Sequence, residues 1–183
     1  MKKLLFLAAL GTGLHTTASA QTQALKVNIL SPLVRTGSFF YEHQVGKQQS
    51  VQLGGLFTAW SAGNTSIRGF ALTPEYRYYV SGSKPALAGF YLAPFVRYQQ
   101  LTLTATDDYS SDEAKASLTT FGGGVLAGYQ LVLKQRFTLD AFLGPSYNGG
   151  SLKTTMGNAS ETFNAGPFEG FGVRSGITFG VAF

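Results

Sequence analysis

The chain has 183 residues with a formal net charge of +5, a length suited to one domain. It contains no cysteine, which excludes a disulfide framework and a thiolate metal site. Charged residues are scarce at 13%, while aromatics reach 14% and glycine numbers 23; a soluble sandwich would carry more charge and less glycine on its polar face.

The first segment reads as an export signal. Lys2 and Lys3 form a positive start, Leu4 to Leu10 an apolar stretch, and Ala18-Ser19-Ala20 a cleavage site. The apolar part falls well below the ~20 residues of a membrane-spanning helix. The expected organisation is therefore a cleavable signal over 1–20, used by the Sec route and removed after Ala20, and one domain over 21–183. Gln21 follows the cut, so no lipid-bearing Cys starts the mature chain. Cleavage removes Lys2 and Lys3 and lowers the positive charge by two, which argues against a nucleic-acid partner. No second long apolar run follows. A chain of this kind enters a membrane only as a closed sheet, because lipid offers no hydrogen-bond partner to an open one.

Eight strands are predicted, over Leu25–Leu33, Ser38–Val45, Ser50–Trp60, Ser66–Val80, Leu87–Thr104, Ser117–Leu133, Phe137–Tyr147 and Phe168–Phe183. Short basic turns (Gly46-Lys47-Gln48, Ser81 to Ala86, Lys134-Gln135-Arg136) alternate with a second set that includes the two longest connections, 105–116 and 148–167. Short turns at one end and longer loops at the other define an all-β, eight-stranded, antiparallel up-and-down transmembrane barrel. Alternation supports it. Gly69, Ala71, Thr73, Glu75, Arg77 and Tyr79 share one face, against Phe70, Leu72, Pro74, Tyr76 and Tyr78. The last strand sets Gly170, Gly172, Arg174, Gly176, Thr178, Gly180 and Ala182 against Phe171, Val173, Ile177, Phe179, Val181 and Phe183. Small and polar residues suit a narrow lumen, and large apolar ones suit lipid. Outward aromatics form two bands: Tyr41, Tyr76, Tyr78, Phe90, Tyr129, Phe137 and Phe183 near the short turns, and Phe57, Tyr98, Phe121, Tyr147 and Phe171 toward the loops. Pro32, Pro74, Pro94 and Pro145 fall inside predicted strands, where bulges or strained positions are expected.

Parity sends Lys26, Glu42, Glu75, Arg77, Arg97, Asp140 and Arg174 into the lumen, and puts Glu169 at the outer rim. Two readings stand, a gated polar pore or a plug of salt bridges. The plug is favoured, because eight strands leave an interior that side chains fill and unpaired buried charge is costly. The remaining acids, Asp107, Asp108, Asp112, Glu113 and Glu161, fall in the two long loops.

Enzymatic readings find little support. His15 leaves with the signal and His43 points to lipid near the short turns, with no Ser–acid pair beside it. The acidic stretch from Asp107 to Glu113 lacks the spacing of a calcium loop. Gly122-Gly123-Gly124 and Gly170-x-Gly172 sit within strands rather than before a helix, unlike phosphate cradles. No catalytic set, metal site or cofactor is expected.

The segments Thr73-Pro74-Glu75-Tyr76-Arg77-Tyr78-Tyr79, Gly89-Phe90-Tyr91 with Pro94-Phe95-Val96-Arg97-Tyr98, and Phe137-Thr138-Leu139-Asp140 with Leu143-Gly144-Pro145 resemble a Bacteroidetes family of small outer-membrane barrels of unknown function. More loosely the chain is similar to OmpA- and OmpX-type barrels. The resemblance covers about Leu25 to Phe183 and implies the barrel fold, the outer membrane of a Gram-negative cell, and delivery by the barrel assembly machinery. It also implies that Phe179, Val181 and Phe183 serve as the assembly signal of the final strand. It brings no activity and no catalytic residue. The expected partners are outer-membrane lipid, the assembly machinery and an extracellular ligand at loops 105–116 and 148–167. A structural or surface-interaction role leads, with a small-solute pore second and a lipid-modifying enzyme third.

Overall fold

The computed structural model describes residues 21–80, 87–106, 113–156 and 169–183. The predicted signal over 1–20 and the acidic residues Asp107, Asp108, Asp112 and Glu161 lie outside the described residues. Eight strands follow one another: β1 (Gln23–Asn28), β2 (Thr36–Gly46), β3 (Gln49–Ala62), β4 (Thr65–Tyr79), β5 (Gly89–Thr106), β6 (Glu113–Leu133), β7 (Phe137–Met156) and β8 (Gly170–Ala182). Each pairs antiparallel with the next, and β8 returns to β1, so the sheet is a closed barrel. The seam between first and last strands is completed by Gln23 N–H donating to the Phe183 carbonyl at 3.1 Å and Phe183 N–H donating back to Gln23 at 2.9 Å. Among the described residues no helix is long and apolar enough to cross a membrane.

Most strand boundaries fall within about two residues of the predicted ones, and two departures matter. β1 stops at Asn28, and the predicted tail through Leu33 is instead a turn and a 3-10 helix over Ser31–Val34. The cause is local: the Asn28 side chain accepts from Leu30 N–H at 2.9 Å, and Pro32 sits in the first helical turn, where no N–H is needed. The 3-10 helix ends at Arg35, whose φ of 53° turns the chain into β2. At the same, loop-side end of the barrel, β5, β6 and β7 run past their predicted limits, β7 as far as Met156. There Lys115 still faces Met156 across the β6–β7 ladder.

The three remaining prolines lie within strands, but neither in bulges nor next to cis bonds. Register shifts occur only at Gln44/Gly46 and Lys115/Ala116 among the described residues, and every described peptide bond is trans. Pro74 pairs with Leu53 on β3 and Pro94 with Val125 on β6, while the β4–β5 ladder between them keeps register and drops the pairs at both prolines. Pro145 repeats the arrangement, paired with Val173 on β8 and unpaired toward β6. A proline lacks only its own N–H, so a strand that turns that side toward one neighbour keeps its ladder with the other.

Inward glycines serve as seats for aromatic rings. Phe40 lies opposite Gly54, Tyr91 opposite Gly128, Phe95 opposite Gly124 and Phe142 opposite Gly176. A Cβ on any of these glycines would run into the facing ring, so the missing side chain makes room for the ring within the lumen. Outside, Leu53, Leu72, Val96, Val125 and Leu143 are exposed in mid-strand. Aromatics flank them: Phe137 stacks on Phe179 near the short turns, and Tyr147 meets Phe171 edge-on, with ring centroids 5.1 Å apart, toward the loops.

Candidate functional site in the barrel lumen

Antiparallel alternation aims every second side chain of every strand into the lumen, and the short-turn half collects the charged ones. Lys26 of β1 donates to Glu42 of β2 at 2.6 Å and to Gln130 of β6 at 2.8 Å, and lies 3.5 Å from Asp140 of β7. Arg77 of β4 donates to Asp140 at 2.9 Å, to Glu75 at 3.2 Å and to Gln130 at 3.3 Å, with Glu42 at 3.5 Å. Its guanidinium lies over the Tyr91 ring, 4.4 Å from the centroid.

Hydroxyls and amides complete the carboxylates. Tyr79 donates to Glu42 at 2.7 Å, Ser50 also donates to Glu42, Tyr91 donates to Asp140 at 2.8 Å, and Gln52 donates to Glu75 at 2.9 Å. The side chains of Lys26, Glu42, Glu75, Arg77 and Asp140 are all 0% exposed. Charges this deep are stable only when paired and hydrogen-bonded, and each of these is both.

Above this network lies an apolar layer of Ala93, Phe95, Leu126 and Phe142. Arg174 of β8 bridges the two. Its guanidinium carbon is 4.8 Å from the Phe95 centroid and 5.1 Å from that of Phe142, and Nη1 reaches Glu75 at 2.7 Å. That contact is an ion pair without hydrogen-bond alignment at either atom.

Six of the seven predicted lumen charges are therefore brought together, three bases against three acids. The seventh, Arg97, is not. It faces the upper lumen, with no ion pair among the described residues and an Nε that has no partner. The reason is height: Arg97 lies on the loop side of the Phe95 layer, while every lumen acid of the network lies on the turn side. Sequence reading missed Ser50, Gln52 and Gln130 as members. Parity was the available signal for Gln130, which shares the inward face of β6 with Gly128 and Leu126.

His43 stays half-buried on the outer face near the short turns, opposite Val51 and Gln23, with Nδ1 unbonded. No cluster of three metal-ligating side chains occurs among the described residues. The lumen thus brings together charged groups that neutralise one another.

Such a barrel, closed by eight antiparallel strands over a charged core, is the class that the fold defines. The chain belongs to the family DUF3575, described as a protein of unknown function, whose model matches residues 4–163. Compared by sequence with curated proteins, it has no match. Among solved structures it is similar to a major outer membrane protein from Thermus thermophilus, with TM-score 0.52 and 14% identity over 88% of this chain and 99% of that one. It also aligns with the N-terminal β-barrel domain of Pseudomonas aeruginosa OprF, at TM-score 0.45 and 12% identity over 89% and 98% of the two chains. Acinetobacter baumannii CarO gives TM-score 0.46 and 11% identity over 92% and 99%. At these identities the likeness is one of fold.

Proposed function

We propose that the chain is an outer-membrane barrel with a structural or surface-interaction role, its lumen closed by the salt-bridge plug rather than open as a pore. The observation that carries this reading is the network itself. Side chains from β1, β2, β4, β6, β7 and β8 meet across the lumen, and the side chains of its five deepest members are 0% exposed. The exposed apolar belt supports the membrane setting, since such a surface is unfavourable in water and matches lipid when flanked by aromatics. Short turns then face the periplasm and the loops face outward.

The test is planar-bilayer recording with the full-length, signal-processed protein. A silent bilayer is expected. Regular conductance steps that change with Arg174→Ala would replace the plug with a pore. The surface role is tested by removing residues 107–112 and 157–168 together. The shortened barrel should keep its heat-shifted gel migration yet lose any binding or envelope phenotype of the parent, and an unchanged phenotype would remove the surface reading. Removal of Phe183 should lower the amount of folded barrel recovered from the outer membrane, as an assembly signal at Phe179, Val181 and Phe183 requires.

A further inference from the structure

On the loop side of the Phe95 layer the lumen opens into a partly enclosed cavity of about 350 Å³. Its wall includes Arg97, Gln99, Ser146, Asn148, Glu169 and Arg174. Two arginines, Arg97 and Arg174, therefore line one small space. Like charges in a confined site repel, and the cost falls when an anion enters between them.

Among the described residues, the acids nearby do not supply that anion. Glu75 is engaged with Arg77, Gln52 and Arg174 on the turn side. Glu169 lines the cavity, but its carboxylate lies against Gly150 of β7, and it forms no ion pair with either arginine among the described residues. Arg174 is held in place between the Phe95 and Phe142 rings. Arg97 has its Nε buried and unbonded. Gln99, Ser146 and Asn148 add neutral polar groups around the same space. A fixed cation, a second cation with unspent donors and neutral hydrogen-bonding side chains form a receptor for an oxyanion, which a guanidinium binds through paired N–H donors.

We propose that Arg97 and Arg174 form a binding site, in the loop-side half of the lumen, for the phosphate or carboxylate group of a small molecule. The site lies on the loop side of the Phe95 layer, so it captures an anion that arrives from the loop side. It does not rest on the plug reading: conductance in a bilayer would overturn that reading and leave this one standing.

The test titrates inorganic phosphate and succinate, separately, into the folded barrel in n-octyl glucoside, which carries no phosphate. Sodium chloride at matched ionic strength is the control, and the readout is the set of arginine Nε–H resonances. Saturable shifts of two such resonances are expected with at least one of the two anions, and which anion acts names the headgroup. Arg97→Lys assigns the Arg97 signal and should keep part of the binding. Arg97→Gln should weaken it at least tenfold while the heat-shifted gel band persists. Absence of any saturable shift in the native barrel with either anion overturns the proposal, and so does equal binding by Arg97→Gln. If that variant does not fold, the native titration decides alone.

Discussion

Arg77 touches three carboxylates and one tyrosine ring at the centre of the plug. Replacing it by methionine keeps much of its volume and removes its charge, leaving Glu42, Glu75 and Asp140 with Lys26 and Arg174 alone. Removing one partner of a buried ion pair costs about 3–5 kcal/mol. Arg77→Met should therefore destabilise the detergent-solubilised barrel by that amount, read from its urea midpoint. Adding Asp140→Asn should recover part of the loss, because the stranded charge goes with it, and a double variant no more stable than the single one would contradict the account. Gly128 makes a different demand. A Cβ there would collide with the Tyr91 ring, so Gly128→Ala should push Tyr91 off its seat and break its bond to Asp140. A destabilisation of about 1–3 kcal/mol is expected from the overpacking, read as a lower temperature for the heat-shifted gel transition. Gly63→Ala, with nothing near its virtual Cβ but a φ of 55°, separates backbone strain from this steric effect.

At the scale of the strands, the β4–β5 seam carries two positions that cannot donate, Pro74 and Pro94, with Glu75↔Phe95 the pair left between them. Ladders with missing bonds open more readily than continuous ones. Hydrogen exchange should accordingly be faster at Tyr76 and Val96 than at Gln52 and Glu75, whose amides face each other across the uninterrupted β3–β4 ladder, and Pro74→Ala with Pro94→Ala should slow it. Equal protection on both sides would show that the seam stays shut without those bonds. The same strands show what a sequence reveals and what it withholds. Alternation in β4 and β8 is legible because one face is apolar and the other small or polar, so barrel, strand count and strand order follow from it. The ends are harder. Tyr147-Asn148-Gly149-Gly150-Ser151 is made of turn-like residues, yet these continue β7, since a strand that has left the apolar belt no longer needs an apolar face. Pro32 reads as part of β1 because the apolar run passes through it, and only the Asn28 turn ends the strand. In the lumen, parity gives the direction of a side chain but not its height. Direction alone places Arg97 with six other charges, and height separates it from them.

For the whole molecule, the lumen divides into a charge-balanced lower half and an upper half where Arg97 has no ion pair among the described residues, with the aromatic layer between them. Under the plug reading, material entering from the loop side meets Arg97 first and the salt-bridge network second. A double variant, Arg77→Ala with Lys26→Ala, removes two of the three bases in that network. If the plug is what blocks conduction, this variant should show conductance steps in a planar bilayer where the parent is silent. Silence in a variant that still gives the heat-shifted band would transfer the block to the Phe95 layer.

The backbone bonds between Gln23 and Phe183 have a further consequence. The polypeptide is a line that folds into a ring, and its two ends meet on one seam at the short-turn rim. Circular permutation should therefore be tolerated: a short linker from Phe183 to Gln21, with new ends opened between residues 106 and 113, keeps all eight strand pairs. The permuted chain would begin with β6 and finish with β5. It should regain the heat-shifted band on refolding in detergent; if Phe179, Val181 and Phe183 act as the proposed assembly signal, it should reach the outer membrane poorly in cells, because that strand would no longer end the chain. Such a separation would distinguish what closes the ring from what delivers it.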